Sequence, residues 1–273
     1  MGENICERAA LESVLSGMDR VAVAVSGGVD SLTLAAFAHR LLGDDCQMYH
    51  AVSPAVPAEA TQRTQALAAR EGWRLQIVDA GEFENAQYMR NPTDRCFYCK
   101  TSLYGAIKPR TTAQVVSGTN TDDLGEYRPG LIAAREHGVR HPFVEAGMSK
   151  AVVRALARQL GLGEIAELPA APCLSSRIET GIAIDPAMLA RVHRTERLID
   201  AALRPRTVRC RVRARGVVVE LDEGSLRTLG AARREQLADE VRALFRDGGF
   251  DFAVSFEPYR VGSAFLHFKS PQR

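Results

Sequence analysis

Long apolar runs and an excess of charge of either sign are both missing from this 273-residue sequence. No stretch is long enough to cross a lipid bilayer, which excludes membrane-spanning helices. The formal net charge is only +2, so overall charge gives no reason to expect a nucleic-acid partner. The first residues lack the basic and apolar regions of a signal peptide, and we therefore expect a cytoplasmic location.

A disulfide framework is not expected either, although the chain has six cysteines, because disulfides are rare in a reducing compartment. Cys96 and Cys99 form a Cys-x-x-Cys, and Cys173 begins the sequence Cys-Leu-Ser-Ser-Arg. Four interpretations compete: small buried side chains, a zinc site, a dithiol redox pair, or a [4Fe–4S] cluster whose three cysteine ligands leave one iron open. No histidine has a ligand-like spacing from either motif, which counts against zinc.

The first two thirds of the chain alternate between strand and helix patterns. Repeated βα units predict an α/β fold with a doubly wound parallel sheet. The predicted strands are residues 21–25, 47–52, 74–78 and 114–117, and the predicted helices are residues 31–42, 58–71 and 150–160.

The last third differs, because there strands are predicted next to strands, which is typical of a smaller α+β domain. Its predicted elements are helices 186–203 and 231–246 and strands 207–212, 216–221 and 251–256. We therefore expect a first domain of residues 1–177 and a second of residues 178–273, the second contributing to substrate binding or oligomerisation.

The most informative stretch is Val21–Ser31, in which a short apolar strand is followed by Ser26-Gly27-Gly28 and by the start of a helix at Asp30-Ser31. Glycines let the backbone approach a ligand closely, and the free N–H groups of a helix N-terminus attract anions. The pattern thus predicts a polyphosphate site. The Walker A sequence is absent, so this is a different kind of phosphate loop.

Ser-Gly-Gly-x-Asp-Ser resembles the PP-loop of ATP pyrophosphatases, which have the adenine nucleotide alpha hydrolase-like fold. The resemblance implies that ATP is cleaved between its α- and β-phosphates, so that the substrate is adenylated and pyrophosphate leaves. It also implies that Gly27, Gly28 and Ser31 hold the pyrophosphate part of ATP, while Ser26 and Asp30 shape the loop. Asp30 would also help to hold Mg²⁺, because hard cations prefer carboxylate and phosphate oxygens.

A second sequence at a strand end, Gly118 to Asp123, follows the predicted strand at residues 114–117. Ligands of open parallel sheets bind at the carboxyl ends of strands. Gly118 and Asp122 are therefore candidates for contacting the adenylate.

Taken together, the motifs resemble the LarE family of ATP-dependent sulfur transferases, which help to make the nickel-pincer nucleotide cofactor of lactate racemase. The resemblance covers nearly the whole chain. The motifs that carry it are Ser26–Ser31, the Asn91–Lys100 segment, Glu126-Tyr127-Arg128-Pro129-Gly130, Cys173-x-Ser175-Ser176-Arg177 and Val208-Arg209-x-Arg211. After the Ser-Ser-Arg sequence the family often continues with a Pro-Tyr-Gly type of turn, whereas this chain has Ile178-Glu179-Thr180-Gly181.

The family implies a carboxylate-bearing pyridinium mononucleotide as substrate, whose carboxylates become thiocarboxylates. In one branch, the cysteine that matches Cys173 forms a thioester and gives up its own sulfur. In the other branch, cysteines that match Cys96, Cys99 and Cys173 hold a [4Fe–4S] cluster whose open iron carries the sulfide. Because all three are present, we expect the cluster branch. Arg177 lies close to Cys173 in sequence and would favour its thiolate, the nucleophilic form.

Matching positions also imply a substrate-phosphate site formed by Arg177, Arg209 and Arg211, with Glu196 and Glu220 as acidic positions of the second domain. Arg209 and Arg211 are two residues apart on a predicted strand and so share a face, which could form a paired clamp. The alternative is a solvated basic strand, because further arginines lie nearby.

Other functions stay open at this point. A tRNA thiolase would keep the mechanism and change the acceptor, although the modest charge counts against RNA binding. An amidating ATP pyrophosphatase would leave the three cysteines unexplained. A non-enzymatic nucleotide- or metal-binding regulator would not consume ATP. We also expect a small-molecule substrate, an external sulfur donor as a possible partner, and a homo-oligomer.

Overall fold

The structure, a computed structural model, describes residues 3–125, 128–170 and 172–265. Its helices, in chain order, are α1 (Glu3–Ser16), α2 (Val29–Leu42), α3 (Ala58–Glu71), α4 (Ala86–Met89), α5 (Arg95–Ile107), α6 (Pro129–Glu136), α7 (Pro142–Glu145), α8 (Lys150–Gln159), α9 (Gly163–Ala166), α10 (Pro186–Leu203), α11 (Glu223–Thr228) and α12 (Ala231–Arg246). Its strands are β1 (Val21–Ala24), β2 (Cys46–Val52), β3 (Arg74–Asp79), β4 (Gln114–Ser117), β5 (Val208–Arg213), β6 (Gly216–Leu221) and β7 (Val254–Pro258).

The chain forms two compact units. The first contains the described residues up to Asn85 and those from Asp94 to residue 170. The second contains Ala86–Thr93 and the described residues from Pro172 onward.

The first unit is built on a parallel four-stranded sheet with the order β3-β2-β1-β4. The chain winds from β1 through β2 to β3 on one side, and β4 then pairs with the opposite edge of β1. The direction of winding therefore reverses between β1 and β4. In open α/β sheets such a switch point leaves a crevice at the carboxyl ends of the two strands, where ligands bind.

Both faces of this sheet are covered, as a doubly wound fold requires. Val21 and Val23 of β1 belong to one apolar core, with buried residues of α1, α2 and α8. The alternate residues Ala22 and Ala24 belong to a separate core, with buried residues of α5 and α6. Because successive side chains of a strand point to opposite faces, the predicted α/β class is confirmed.

The second unit has a three-stranded mixed sheet of order β5-β6-β7. β5 and β6 form an antiparallel hairpin, and β7 pairs parallel to β6 after the chain has passed through α11 and α12. The long helix α10 contacts both β5 and α12. Strands paired with their sequence neighbours beside packed helices make this an α+β unit, as the sequence predicts.

The limits of the two units differ from the predicted domains 1–177 and 178–273. The second unit begins at Pro172 and also takes in Ala86–Thr93 from within the first part of the chain. The reason is a set of long-range hydrogen bonds. The buried Asn91 side chain donates to the carbonyl oxygens of Ile178, Glu179 and Ile182, at 3.3, 2.9 and 3.0 Å.

Candidate functional site

The loop after β1 turns sharply at Gly27, whose φ of +82° is a left-handed backbone conformation that side chains disfavour. A Cβ at this position would lie 2.7 Å from the carbonyl oxygen of Ala60 in α3. Gly27 is therefore required both by its conformation and by the close approach of α3. Arg63, one turn further along α3, donates to the Gly27 carbonyl oxygen at 2.7 Å and fixes the outer side of the loop.

Two serines hold the inside of this loop. The Ser31 hydroxyl accepts from the backbone N–H of Ser26 at 3.0 Å and donates to the carbonyl oxygen of Gly28 at 3.1 Å. The Ser26 hydroxyl lies 3.0 Å from the same Ser31 oxygen. Gly28 is the N-cap residue of α2, and no side chain caps this helix. Since the first N–H groups of a helix have no partner within it, this N-terminus can bind phosphate oxygens.

Gly118 brings the end of β4 directly against this loop. A Cβ on Gly118 would lie 2.7 Å from the backbone nitrogen of Ser31 and 2.8 Å from the carbonyl carbon of Asp30. Gly118 thus permits the two strand ends to meet, in addition to its predicted contact with an adenylate. Asp122 lies in the turn that follows, exposed, with its backbone N–H donating to the Asn120 side-chain oxygen at 3.1 Å.

The Asp30 carboxylate has two partners from distant parts of the first unit. Lys150, the first residue of α8, is hydrogen-bonded to one carboxylate oxygen. The buried Asn120 donates to the other at 3.3 Å. Asp30 is therefore paired with a lysine that sequence reasoning missed, and its roles in shaping the loop and holding Mg²⁺ stay predictions. A lysine just after a helix-capping serine, Ser149, is a signal that could have pointed to it.

His50 connects the start of the loop to α3. Its Nδ1 is 2.8 Å from the carbonyl oxygen of Val25, and its Nε2 is 2.9 Å from the hydroxyl of Thr61. Because a carbonyl only accepts, Nδ1 carries the proton and Nε2 accepts from Thr61. Burial lowers the pKa of His50, although the bond to Val25 acts in the opposite direction. The neutral imidazole is thus the form that links β2 and α3 to the loop.

The three cysteines predicted to hold a cluster are more exposed than Cys46 and Cys210. Cys96 and Cys173 are exposed and Cys99 is half-buried, whereas Cys46 and Cys210 are buried. Burial raises the pKa of the Cys46 thiol to about 12. It raises that of Cys210 further, so both are inert thiols. No disulfide forms among the six cysteines, all of which lie in described residues.

Cys96 and Cys99 lie on α5 in the first unit, and Cys173 lies in the second. Across residues 3–125, 128–170 and 172–265, no three His, Cys, Asp or Glu side chains are grouped as a metal site. In the LarE-like motif at residues 126–130, Glu126 and Tyr127 lie outside the described residues. Gly130, at the start of α6, packs on α5, where its Cβ would lie 3.2 Å from Lys100 and 3.6 Å from the Cys96 carbonyl oxygen.

The turn that carries Cys173 is held from inside the second unit by Arg177. This buried guanidinium donates to the carbonyl oxygens of Pro172 and Cys173, at 2.6 and 3.2 Å. It also forms a bidentate pair with Glu196 of α10, at 2.9 and 3.0 Å. These contacts fix the backbone around Cys173. The predicted role of Arg177 at a substrate phosphate stays a prediction.

A second buried pair lies on the β5–β6 hairpin. Arg211 donates to Glu220 at 3.1 Å and to the carbonyl oxygen of Ser176 at 2.9 Å. The side chains of Arg211 and Glu220 are 5% and 1% exposed, so this part of β5 is not a solvated basic strand. Arg213 also donates to Glu220, at 2.6 Å.

Arg209 shares a strand face with Arg211 but is only half-buried. Its guanidinium lies 5.8 Å from the centre of the Tyr259 ring. Burial and the nearby charge of Arg177 lower the pKa of Arg209. An anion beside it would offset both effects.

Residues 86–93 contribute two further contacts that sequence reasoning missed. The Tyr88 hydroxyl lies 2.6 Å from that of Ser175, and both side chains are buried. Asn91 has a φ of +53° and spans the turn after Arg177 through its amide. Glu179, at the departure from the family pattern, accepts from the backbone N–H of Ala214 at 3.3 Å, so it supports the hairpin turn.

None of the protein-family models searched matches this chain. An uncharacterized protein of Synechocystis is 40% identical over 190 residues, which cover 68% of this chain and 70% of the relative. The pyridinium-3,5-bisthiocarboxylic acid mononucleotide synthase of Lactiplantibacillus plantarum is 30% identical over 225 residues, or 81% of each protein. The chain belongs to the LarE family. An uncharacterized protein of Methanocaldococcus jannaschii is 23% identical over 246 residues, covering 88% of this chain and 91% of the relative.

Membership of the LarE family confirms the resemblance drawn from the sequence motifs. Within the part of the chain that the structure describes, no helix is long and apolar enough to span a membrane.

Proposed function

We propose that the protein is an ATP-dependent sulfur transferase that converts carboxylates of a pyridinium dicarboxylate mononucleotide into thiocarboxylates. The observation that carries the proposal is the uncapped N-terminus of α2 at the switch point of the sheet, in a chain related to the synthase of L. plantarum. The first feature supports ATP as a substrate, and the second supports the sulfur-containing product.

The first step would be adenylation. A carboxylate oxygen of the substrate attacks the α-phosphorus, an acyl adenylate forms, and pyrophosphate leaves. The N–H groups at the start of α2, together with Gly27, Gly28 and Ser31, would bind the leaving pyrophosphate, where negative charge develops. Asp30 would help to hold Mg²⁺, because its carboxylate lies in the first turn of the same helix.

The second step would replace oxygen by sulfur. A sulfur nucleophile attacks the carbonyl carbon of the acyl adenylate, and AMP leaves. Cys96 and Cys173 are exposed and Cys99 is only half-buried, which supports a role in this step, since buried thiols such as Cys46 are inert.

Three thiols fit a [4Fe–4S] cluster by the chemistry of the donor set. We propose Cys96, Cys99 and Cys173 as its ligands. When bound, such a cluster would supply the sulfide. Arg177 and Arg211 would keep the backbone of the Cys173 turn in place during the exchange, through the hydrogen bonds that they donate to its carbonyl oxygens.

Arg209 is our candidate for the substrate phosphate in the second unit. Unlike Arg177 and Arg211, it is only half-buried, and its charge is disfavoured by burial and by neighbouring arginines. A phosphate group would relieve this repulsion and gain a charge-assisted hydrogen bond.

The proposal is tested with protein purified without oxygen and incubated with pyridinium-3,5-biscarboxylic acid mononucleotide, ATP and Mg²⁺. Mass spectrometry should detect product in which sulfur has replaced oxygen, together with AMP and pyrophosphate. Consumption of ATP without sulfur transfer to this nucleotide would contradict the substrate assignment. No consumption of ATP would contradict the reaction class.

Iron and acid-labile sulfide measured in the same preparation distinguish the two sulfur sources. About four of each per chain would support the cluster, and Cys96→Ser or Cys99→Ser should then lower both. Cys6→Ser is the matched control, because Cys6 is also exposed but lies outside the three motifs. Activity without iron, with loss of sulfur from Cys173, would instead support Cys173 as a consumed donor.

A further inference from the structure

The pairing of Asp30 with Lys150 affects the charge of the proposed nucleotide site. Asp30 lies in the first turn of α2, beside the N–H groups that would bind phosphate. An unneutralised carboxylate there would repel a polyphosphate. Lys150 supplies the neutralising charge, since its ammonium group is hydrogen-bonded to the carboxylate.

The two partners of Asp30 differ in how firmly they are held. Asn120 is buried, and its side-chain oxygen accepts from the backbone N–H of Asp122, so its amide is fixed. The side chain of Lys150 is 32% exposed and that of Asp30 is 23% exposed. The ammonium can therefore leave on its flexible stem, while Asn120 keeps the carboxylate oriented.

The start of α8 is itself anchored, which keeps Lys150 within reach of the loop. Ser149 caps the helix by accepting from the backbone N–H of Val152. The preceding Met148 accepts at its carbonyl oxygen from the backbone N–H of Thr121, at 3.0 Å, in the turn after β4. A movement of Lys150 is thus confined to its side chain.

We propose that Lys150 is a phosphate-binding residue that changes partner, from the Asp30 carboxylate to the β- and γ-phosphates, when MgATP binds. The inference rests on the proposed function. Mg²⁺ takes over the neutralisation of Asp30, and the released ammonium then donates to the phosphates that will leave as pyrophosphate. Asp30 stays neutralised through this exchange, because Mg²⁺ takes the place of the ammonium beside it.

The test is the affinity for α,β-methylene ATP, an analogue that cannot be cleaved between these phosphates. It is measured by calorimetry with Mg²⁺ and again with EDTA. With Mg²⁺, Lys150→Gln should weaken binding about 10- to 100-fold, the loss of one charge-assisted hydrogen bond. With EDTA the variant should also bind more weakly, because Asp30 then has neither Mg²⁺ nor the ammonium beside it and repels the phosphates.

The matched control is Lys108→Gln, which removes an exposed lysine of the same unit and should leave affinity unchanged in both conditions. If Lys150 only neutralised Asp30, its loss would weaken binding with EDTA but not with Mg²⁺, because Mg²⁺ then takes the place of the ammonium beside the carboxylate. Unchanged affinity with Mg²⁺ would overturn the inference. Failure of the unsubstituted protein to bind the analogue is a distinct result, because it would contradict the proposed nucleotide site itself.

Discussion

Arg177 and Glu196 form a bidentate ion pair, with N–O distances of 2.9 and 3.0 Å, inside the unit that carries Cys173. Glu196 also accepts from the backbone N–H of Cys210 at 2.9 Å. One carboxylate therefore connects the Cys173 turn, α10 and β5. The pair positions the sulfur-bearing turn by fixing its backbone.

Removing this carboxylate should destabilise the second unit strongly. Glu196→Ala leaves the Arg177 guanidinium buried without its counterion, which should lower the free energy of unfolding by about 3–5 kcal/mol. Urea unfolding followed by circular dichroism measures the loss. The control is Glu167→Ala, because Glu167 and its partner Arg158 are 68% and 53% exposed; there the expected loss is about 0–1 kcal/mol. Similar losses in both variants would show that the buried pair is unimportant.

A methyl group at Gly118 should disturb the meeting of the two strand ends. Gly118→Ala places a Cβ 2.7 Å from the backbone nitrogen of Ser31, and we expect a loss of about 1–3 kcal/mol from overpacking together with weaker ATP binding. Gly105→Ala is the matched control. No atom lies within 4 Å of its new Cβ, so in helix α5 it should raise stability by about 0.5–1 kcal/mol. Unfolding followed by the fluorescence of the buried Trp73 measures the stability of both variants.

The loop of the first unit should lose stability on acidification through His50. Burial lowers the pKa of His50 in the folded protein, so the unfolded chain binds a proton first as the pH falls. The stabilisation is complete above the ordinary histidine pKa of about 6.5 and is lost as the pH drops below it. His141, whose pKa burial also lowers, contributes in the same direction.

The measurement is the free energy of unfolding between about pH 7.5 and 5.5, a range in which most carboxylates stay ionised. His50→Gln should be less stable at the upper limit, because it loses the bonds to Val25 and Thr61. Its stability should also depend less on pH than that of the unsubstituted protein. An unchanged pH dependence would mean that His50 does not titrate differently in the two states.

Two substitutions at Asn91 distinguish how much its amide hydrogen bonds and its backbone conformation each contribute to stability. Asn91→Gly keeps the positive φ of 53° without strain, but it leaves buried carbonyl groups unpaired, and we expect a loss of about 1–3 kcal/mol. Asn91→Ala should lose about 1–2 kcal/mol more, because alanine resists a left-handed conformation. Equilibrium unfolding tests whether the free energy of unfolding falls in the order original protein, Asn91→Gly, Asn91→Ala. A glycine variant as stable as the original would show that the amide bonds contribute nothing.

Local patterns predicted most of the regular elements. The strand before Ser26 and the helices at residues 58–71, 186–203 and 231–246 agree with the structure to within a residue, because apolar spacing within a short window determines them. The last strand was placed at residues 251–256, whereas β7 is Val254–Pro258. Seven helices of the structure have no counterpart among the predicted elements, namely α1, α4, α5, α6, α7, α9 and α11. Of these, α5 carries the Cys-x-x-Cys.

The candidate site was predictable where a motif lies within one stretch of chain, as for Ser26–Ser31. It was not predictable where residues meet across long separations. Asp30 and Lys150 are 120 residues apart, and Tyr88 and Ser175 are 87 residues apart. Such pairs depend on the order of strands and on how the loops pack, and no local pattern encodes them. The sequence identified Arg211 and Glu220 as candidate site residues, but it did not predict that the two form a buried ion pair.

The placement of Ala86–Thr93 in the second unit means that the chain passes between the two units three times, after Asn85, after Thr93 and before Pro172. A fragment that starts at Pro172 therefore lacks Tyr88 and Asn91. During synthesis on the ribosome, these two residues leave the exit tunnel well before the segment they bind. The second unit can finish folding only after most of the first has been made, so the two cannot be exchanged between proteins at a single junction.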